Sequence, residues 1–561
     1  MEWLSSNWQG SAIGSLISKR PYNQTGVNLS TLKKLMKSLT KVPEDFVLHK
    51  EIQKIIDYRK KCLETGAGIN FAFSEALAFG ALMTKFTPLK EDKKDVPTTT
   101  VTKDLRMEEH PTVHVRLSGQ DSVRGTFNQR HSAIFCQKTT KYFIQLNNLD
   151  MGEQATISVA NSSLSEEAIL GFEYGYSLSN DMALVLWESQ FGDFANGAQT
   201  MIDCFIASGE SKWQNQSSLV MLLPHGYDGQ GPDHSSGRLE RFLQLVDDDP
   251  DQKPGQGRFS LSEMEAGFDT IDKNKVGFVT LETFSKAISN YTQSTDERVE
   301  LTIAEIITEL QDLGLISTKD DGTPIFTKES WCKLMSSWLQ SNSERRHNLV
   351  IVVPSTPAQY FHCLRRQIHR PFNKPLIVMS AKWLLHHRAC VSHINDMTTG
   401  TFFQRIILEG GRGDNMSRNE DYNEEDNKEV KNNLLHPLNI RRVLFCSGKV
   451  FYHLYHARHS MAIKDITIIR VEQIAPFPYD LIGPAIARFP NADLVWTQEE
   501  PKNQGAWGYV KPRFDTAMRE AGIKDRSNIR YVGRKPSSSS AVGSYHIHDQ
   551  EQKAFIKEAL S

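Results

Sequence analysis

Long apolar runs are missing from these 561 residues. No stretch approaches the roughly 20 consecutive apolar residues of a membrane span. A surplus of either charge is also missing: 65 Lys plus Arg face 67 Asp plus Glu, and hydrophobic residues make up 39%. That balance excludes both the basic footprint of a nucleic-acid binder and the signature of a disordered chain. Cysteine is sparse and unpatterned. Its seven positions, Cys62, Cys136, Cys204, Cys332, Cys363, Cys390 and Cys446, include no Cys-x-x-Cys pair, which excludes zinc-ribbon and dithiol-redox motifs and fits a reducing compartment. The opening MEWLSSNWQG has neither the cationic start and apolar run of a secretory signal nor the Arg-rich character of a transit peptide.

What is present is rhythm. Short apolar runs (VHVRL, ATISV, ALVLW, SLVMLL, LVIVV, PLIVMS) alternate with helical stretches (SEEAILGFEYGYSL, GAQTMIDCFIA, GRLERFLQLV, AQYFHCLRRQI) between residues 113 and 380. This alternation predicts an α/β fold with a mostly parallel sheet covered on both faces. Residues 1–67 read as an N-terminal connector of polar helices and loops. A first α/β domain is predicted over 68–409, beginning with the apolar helix GINFAFSEALAFGALM and the charged, Thr-rich loop KEDKKDVPTTTVTKD. A mostly helical insertion at 254–346 interrupts it. There, Asp272, Asn274, Gly277 and Val279 stand at positions one, three, six and eight of an EF-hand-like loop, but Val276 and Thr283 occupy positions five and twelve, where calcium needs oxygen ligands. A second such loop, TKDDGTPIFTKE, has Glu329 at its twelfth place but Thr318 at its first. Residues 410–433, polar and rich in Asn and acidic residues, read as a linker, with Arg412-Gly413-Asp414 a chance spelling. A second α/β domain is predicted over 434–561. Its CSGKV is not a phosphate loop, since Val443 replaces the leading Gly and Val450 the Ser or Thr.

Several residues near predicted strand ends carry chemistry. In NSSLSEEAILGFEYGYSL, Ser163 and Glu166 have capping-box spacing. The same glutamate is equally a carboxyl held where ligands of parallel sheets bind, able to share a proton with a heterocycle. In LWESQFGDFANGAQ, Phe191 and Phe194 flank a Gly-Asp turn, where aromatic rings either stack on a flat ligand or pack into the core. In LLPHGYDGQGPDHSSGRLERFLQL, His225 and His234 bracket a Gly-rich loop. Asp233, His234 and Ser235 are neighbours in sequence, so they cannot form a hydrolase triad with one another.

Together with LSGQDSVRGTFNQRH, PSTPAQYFHCLRRQ, CSGKVFYHL and QEEPKNQGAW, these stretches closely resemble the decarboxylating component of 2-oxoglutarate dehydrogenase complexes, over roughly residues 68–253 and 347–561. The resemblance implies a transketolase-like fold, a pyrimidine-binding domain followed by a C-terminal domain, and thiamine diphosphate with Mg2+ as cofactors. It implies oxidative decarboxylation of a 2-oxo dicarboxylic acid, 2-oxoglutarate or 2-oxoadipate, with transfer of the acyl group to a lipoyl carrier. By resemblance, Glu166 hydrogen-bonds the aminopyrimidine, Phe191 and Phe194 pack on it, and Leu164 belongs to the same cofactor-binding set. His234 faces the reacting carbon as a catalytic proton donor and acceptor. His225 is a further catalytic candidate, and His131 and Ser235 are weaker substrate candidates. Gln129-Arg130-His131 and Gly-Pro-Asp-His lean toward the 2-oxoadipate branch.

The family's Gly-Asp-Gly motif for magnesium and diphosphate is not found; Gly192-Asp193-Phe194 has the wrong third residue. No metal ligands are therefore expected on this chain, and the diphosphate domain is expected elsewhere. Implied partners are a second copy or a chain carrying that domain, a lipoyl-bearing acyltransferase and dihydrolipoyl dehydrogenase; the implied compartment is the mitochondrial matrix. A competing expectation is a non-catalytic binding module of the same complex, although such a module has no need of Glu166, the two phenylalanines and His234.

Overall fold

A computed structural model of the protein describes residues 25–84, 112–180, 183–252, 347–370, 372–416, 434–523 and 528–561, with 268–269, 272–280, 283, 316–318 and 324–331 of the insertion. Helices α1 (Leu29–Ser38), α2 (Lys50–Thr65) and α3 (Phe71–Met83) open it. The Asn70 side chain caps α3 by accepting from the Phe73 amide at 3.0 Å. A helix with no polar face must be covered all round, and α3 is buried along nearly its whole length. Leu32, Leu35, Met36 and Leu39 complete the same core. Residues 27–67 are therefore part of the first domain rather than a connector to it. The Thr-rich loop predicted at 90–104 lies outside the described residues.

Twelve strands build the two main sheets: β1 (His114–Gly119), β2 (Ile157–Asn161), β3 (Ala183–Glu188), β4 (Val220–His225), β5 (Val350–Val352), β6 (Leu376–Ala381), β7 (Ile406–Leu408), β8 (Arg442–Cys446), β9 (Ile466–Val471), β10 (Gln473–Ala475), β11 (Asp493–Pro501) and β12 (Arg530–Arg534). The first sheet runs β10-β5-β6-β4-β3-β1-β2, parallel except for β10. Helices α4 (Glu166–Ser179) and α5 (Pro357–His369) connect β2 to β3 and β5 to β6. Alternation divides each strand between two cores. In β3, Leu184 and Leu186 enter the core shared with α3, while Ala183, Val185 and Trp187 enter the core on the opposite face. Burial on both faces is why ALVLW and VMLL read as unbroken apolar runs.

The second sheet runs β7-β9-β8-β11-β12, with β7 antiparallel to β9 and the rest parallel. Because β7 precedes residue 410 and belongs to this sheet, the second domain starts earlier than 434. Residues 417–433 of the predicted linker lie outside the described residues. The stretch before them is anchored: Asp414 is buried and accepts from Arg470 at 2.7 Å, so the carboxylate of this Arg-Gly-Asp is not displayed to solvent. Strand β10 leaves the second sheet after Val471 and pairs with β5 of the first. Arg513 of helix Trp507–Glu520 adds a bidentate bond to Asp248 at 2.9 and 2.5 Å.

The insertion was expected to be mostly helical. Its described residues include helical positions at 268–269, 283 and 328–331 and a three-stranded antiparallel sheet of Phe278–Thr280, Pro324–Thr327 and Ile316–Thr318; most of the insertion lies outside the described residues. Asp272 accepts from the backbone N–H groups of Val276 at 3.2 Å and Gly277 at 2.7 Å, and the Thr283 hydroxyl pairs with that of Thr280 at 2.9 Å. The first oxygen of the EF-hand-like loop thus stabilises the turn itself.

Candidate functional site

Parallel pairing brings the carboxyl ends of β2, β1, β3, β4 and β6 to one edge, where open α/β sheets bind ligands. β2 leads to Leu164 and Glu166, β3 to Phe191 and Phe194, β4 to the loop carrying His234, and β6 to Lys382.

Ser165 caps α4 by accepting from the Ala168 amide at 3.4 Å, and Glu166 is the first helical residue. The Ser163–Glu166 capping box is thereby corrected: the cap falls two residues later, and the Glu166 carboxyl is not used in it. That carboxyl is half-buried and has no hydrogen-bond partner among the described residues. Its helix packs on the turn Gly192–Ala198, and a Cβ at Gly197 would come 3.3 Å from Glu166 Oε2. Leu164 is exposed beside it.

The rings form a cluster. Phe191 stands edge-on to His234 with centroids 4.5 Å apart, Phe194 is 5.8 Å from each of them, and Phe127 is 5.4 Å from Phe191. All of these contacts are T-shaped. Both phenylalanines and His234 are half-buried, and neither His234 ring nitrogen has a partner among the described residues. Asp193, between the phenylalanines, aims the histidine loop: its Oδ1 accepts from the amides of Ser235 at 3.1 Å and Ser236 at 3.0 Å. Close approach here requires glycine, because a Cβ at Gly192 would meet the Pro224 carbonyl at 2.7 Å and Gly237 Cα at 2.8 Å.

Other candidates go elsewhere. His225 is buried; its Nε2 pairs with Glu500 at 2.9 Å, and its Nδ1 accepts from the Gly237 amide at 3.0 Å. Both ring nitrogens are occupied, so His225 ties two domains together and does not join the ring cluster. Burial alone would push its imidazole down, but the bond to Glu500 and the charges of Glu500, Glu499 and Glu240 outweigh burial and hold it above the ordinary histidine value. Ser235 is fully buried and donates its hydroxyl to the Gly231 carbonyl at 2.7 Å, which braces the loop from within. His131 lines a separate cleft of about 740 Å³ with Tyr58, Arg59, Asn128, Gln129 and His386. Phe127 lies between, its ring on Phe191 and its carbonyl accepting from His386 at 3.0 Å.

The sequence reading missed the buried charges around the site. Arg130 is held by Glu75 (2.6 and 3.1 Å) and Glu188 (2.5 and 2.9 Å). Lys449, dismissed with CSGKV, reaches the Tyr227 carbonyl and Asp228, each at 2.6 Å, and Glu499 at 3.1 Å. A lone Glu ending the apolar run ALVLWE is the one signal that was available for Glu188. Lys449 and Glu499 are separated by 50 positions in sequence, and local pattern does not pair them. Among the described residues no group of three or more His, Cys, Asp or Glu side chains could hold a metal ion.

A mostly parallel sheet whose strand ends gather an aromatic cluster and a carboxyl without a partner among the described residues, with a second α/β domain attached, is the architecture of a transketolase-type pyrimidine-binding domain and its C-terminal neighbour. The family model for the transketolase pyrimidine binding domain matches residues 99–252, and that for the 2-oxoglutarate dehydrogenase C-terminal region matches 391–560, a range that includes β7. The 2-oxoglutarate dehydrogenase E1 component of Brucella anthropi is 36% identical over 559 residues, covering 100% of this chain and 42% of the relative. Those of Brucella abortus and Brucella melitensis give the same identity and coverage. The chain belongs to the 2-oxoglutarate dehydrogenase E1 family, and it spans 42% of the length of these curated relatives.

Proposed function

We propose that this chain forms the pyrimidine-side half of a thiamine diphosphate site in a dehydrogenase that decarboxylates a 2-oxo dicarboxylic acid and passes the acyl group to a lipoyl carrier. The observation that carries this reading is the Glu166 carboxyl at the start of α4, without a hydrogen-bond partner among the described residues and beside the turn that bears Phe191 and Phe194. When bound, thiamine diphosphate supplies the carbon nucleophile and the electron sink. Glu166 exchanges a proton with the aminopyrimidine edge, and the two phenylalanines hold its flat faces and exclude water. His234, whose ring nitrogens have no partner among the described residues, holds and returns a proton at the reacting substrate oxygen.

The relatives carry 2-oxoglutarate in their names, which favours the five-carbon substrate. Of the residues that lean toward 2-oxoadipate, Arg130 is saturated by Glu75, Glu188 and the Ser122 carbonyl and has no donors left for a substrate carboxylate. The diphosphate and its Mg2+ would be held by residues from the portion of the relatives that this chain does not span. Exposed Leu164, just before α4, and Phe172, midway along it, support a second protein surface covering the site, from another copy or a diphosphate-binding domain. A lipoyl-bearing acyltransferase and dihydrolipoyl dehydrogenase are the implied partners. In a eukaryotic cell the mitochondrial matrix suits the free thiols at Cys62, Cys136, Cys204, Cys363, Cys390 and Cys446.

The test is Glu166→Ala in the intact enzyme, with cofactor supplied. Loss of about 100-fold or more in decarboxylation is expected, the scale of positioned proton transfer. Wild-type turnover would overturn the reading.

A further inference from the structure

Lys382 follows directly on the last residue of β6, so its backbone is fixed by the sheet. Its side chain is only 3% exposed, and its ammonium group is directed into the histidine loop. There it donates to the His234 carbonyl and, at 2.9 Å, to Gln230 Oε1. Asp228 Oδ2 lies 3.7 Å away, and the Phe191 ring lies under the ammonium with its centroid at 5.4 Å. One side chain therefore grips both the backbone of the candidate proton-transfer histidine and the ring that this histidine stands against.

Burying a lysine costs several kcal/mol unless its donors are met, and a methionine of similar volume would fill the space without that cost. The compensation at Lys382 consists of loop acceptors and an aromatic face. The loop depends on such anchoring. Gly229 and Gly231 have positive φ, and helix Pro232–His234 is a single short turn. Within the first domain, Asp193 holds the amides of Ser235 and Ser236; from the second domain, Lys449 holds the Tyr227 carbonyl, Glu499 accepts from the Tyr227 amide at 3.2 Å, and the Ser540 hydroxyl donates to the Pro232 carbonyl. None of these reaches His234 itself.

We propose that Lys382 is a positioning residue: by clamping the His234 carbonyl, Gln230 and the Phe191 ring, it sets the orientation of the His234 imidazole at the strand-end site. The proposal rests on the reading of His234 as a proton-transfer group, but its geometric part is measured separately. The full chain is labelled with 13C at histidine Cε1, and the His234 signal is identified by its loss in His234→Gln. Edge-on packing against Phe191 at 4.5 Å gives that signal a ring-current shift. In Lys382→Met the ring-current shift collapses, and the amides of residues 226–237 exchange about tenfold faster or more, while those of β3 and β4 do not change. Lys382→Arg keeps donors for the same acceptors and restores both readouts; if the Met variant does not fold, the Arg variant carries the test. An unmoved His234 signal and unchanged loop exchange in Lys382→Met, or a displaced signal in Lys382→Arg, overturns the clamp. Turnover of the intact, cofactor-loaded enzyme that His234→Gln leaves intact overturns the role of His234 instead, whatever the clamp does.

Discussion

Glu166 and His234 stand half-buried at the strand ends, their carboxyl and ring nitrogens without partners among the described residues, while nearby Lys449, Glu499 and Glu500 are buried and paired, with half-buried Asp228 paired to Lys449. Both regions are polar and both lie at the carboxyl edge of the first sheet. The paired groups cross between domains and fix the frame. The unpaired groups keep their proton-exchanging atoms available to a ligand. Burial with full pairing makes a charge structural, and partial exposure without a partner leaves it open to chemistry.

Substitutions that break this contrast have graded effects on stability. Arg130→Met should be the most damaging. It leaves Glu75 and Glu188 buried beside each other without a cation, and the loss of one partner from a buried pair costs about 3–5 kcal/mol. Denaturant unfolding of the variant measures it, and a loss under about 1 kcal/mol would mean that water reaches the pair. Asp193→Ala comes next, because the Ser235 and Ser236 amides lose their acceptor at roughly 1–3 kcal/mol. The same variant should loosen the His234 loop in hydrogen exchange.

His225→Gln sharpens the comparison through pH. The folded-state value of His225 is raised above 6.5, so its contribution is fully present below that value and is lost as pH climbs through the folded-state value. Burial pushes Glu500 up, but its bond to His225 and the His225 charge outweigh burial and hold it below 4.5. Its contribution is therefore present above that value and lost as pH falls through the folded one. The stability gap between wild type and variant should be widest between these values and shrink on the alkaline side, as read by thermal unfolding from about pH 5 to about pH 9. A flat gap would show that the Gly237 amide, by donating to Nδ1, keeps the ring neutral throughout. Smallest is Glu166→Ala. It removes no hydrogen bond among the described residues and should stay within about 0.5 kcal/mol of wild type, even as turnover collapses.

Much of this was legible because local rules sufficed. The runs ALVLW and VMLL announce strands buried on both faces, and the aromatic pair around Gly192-Asp193 and the Gly-rich loop around His234 announce strand-end turns. Where local rules compete, short-range pattern does not decide. Ser163 and Ser165 both offer a hydroxyl to α4, and only packing of the helix against Gly192–Ala198 selects the later one. His225 and His234 look alike in sequence as loop histidines, yet one is the last residue of a strand with both nitrogens bonded and the other is half-exposed on a loop. The segment before Gly68 looked like a connector because its polar face is continuous, while Leu32, Leu35 and Met36 meet their core only after the sheet has formed.

By itself the sequence determined the strand and helix order, the α/β class and the residues gathered at the strand ends, because periodicity and turn chemistry act over a few residues. Only the tertiary structure decided which charges become frame and which stay free. His225 finds Glu500, Lys449 finds Asp228 and Lys382 finds His234 across separations of 148 to 275 residues. The strength of each pairing depends on the water removed when two sheets close on one another, a quantity that no short stretch of sequence contains.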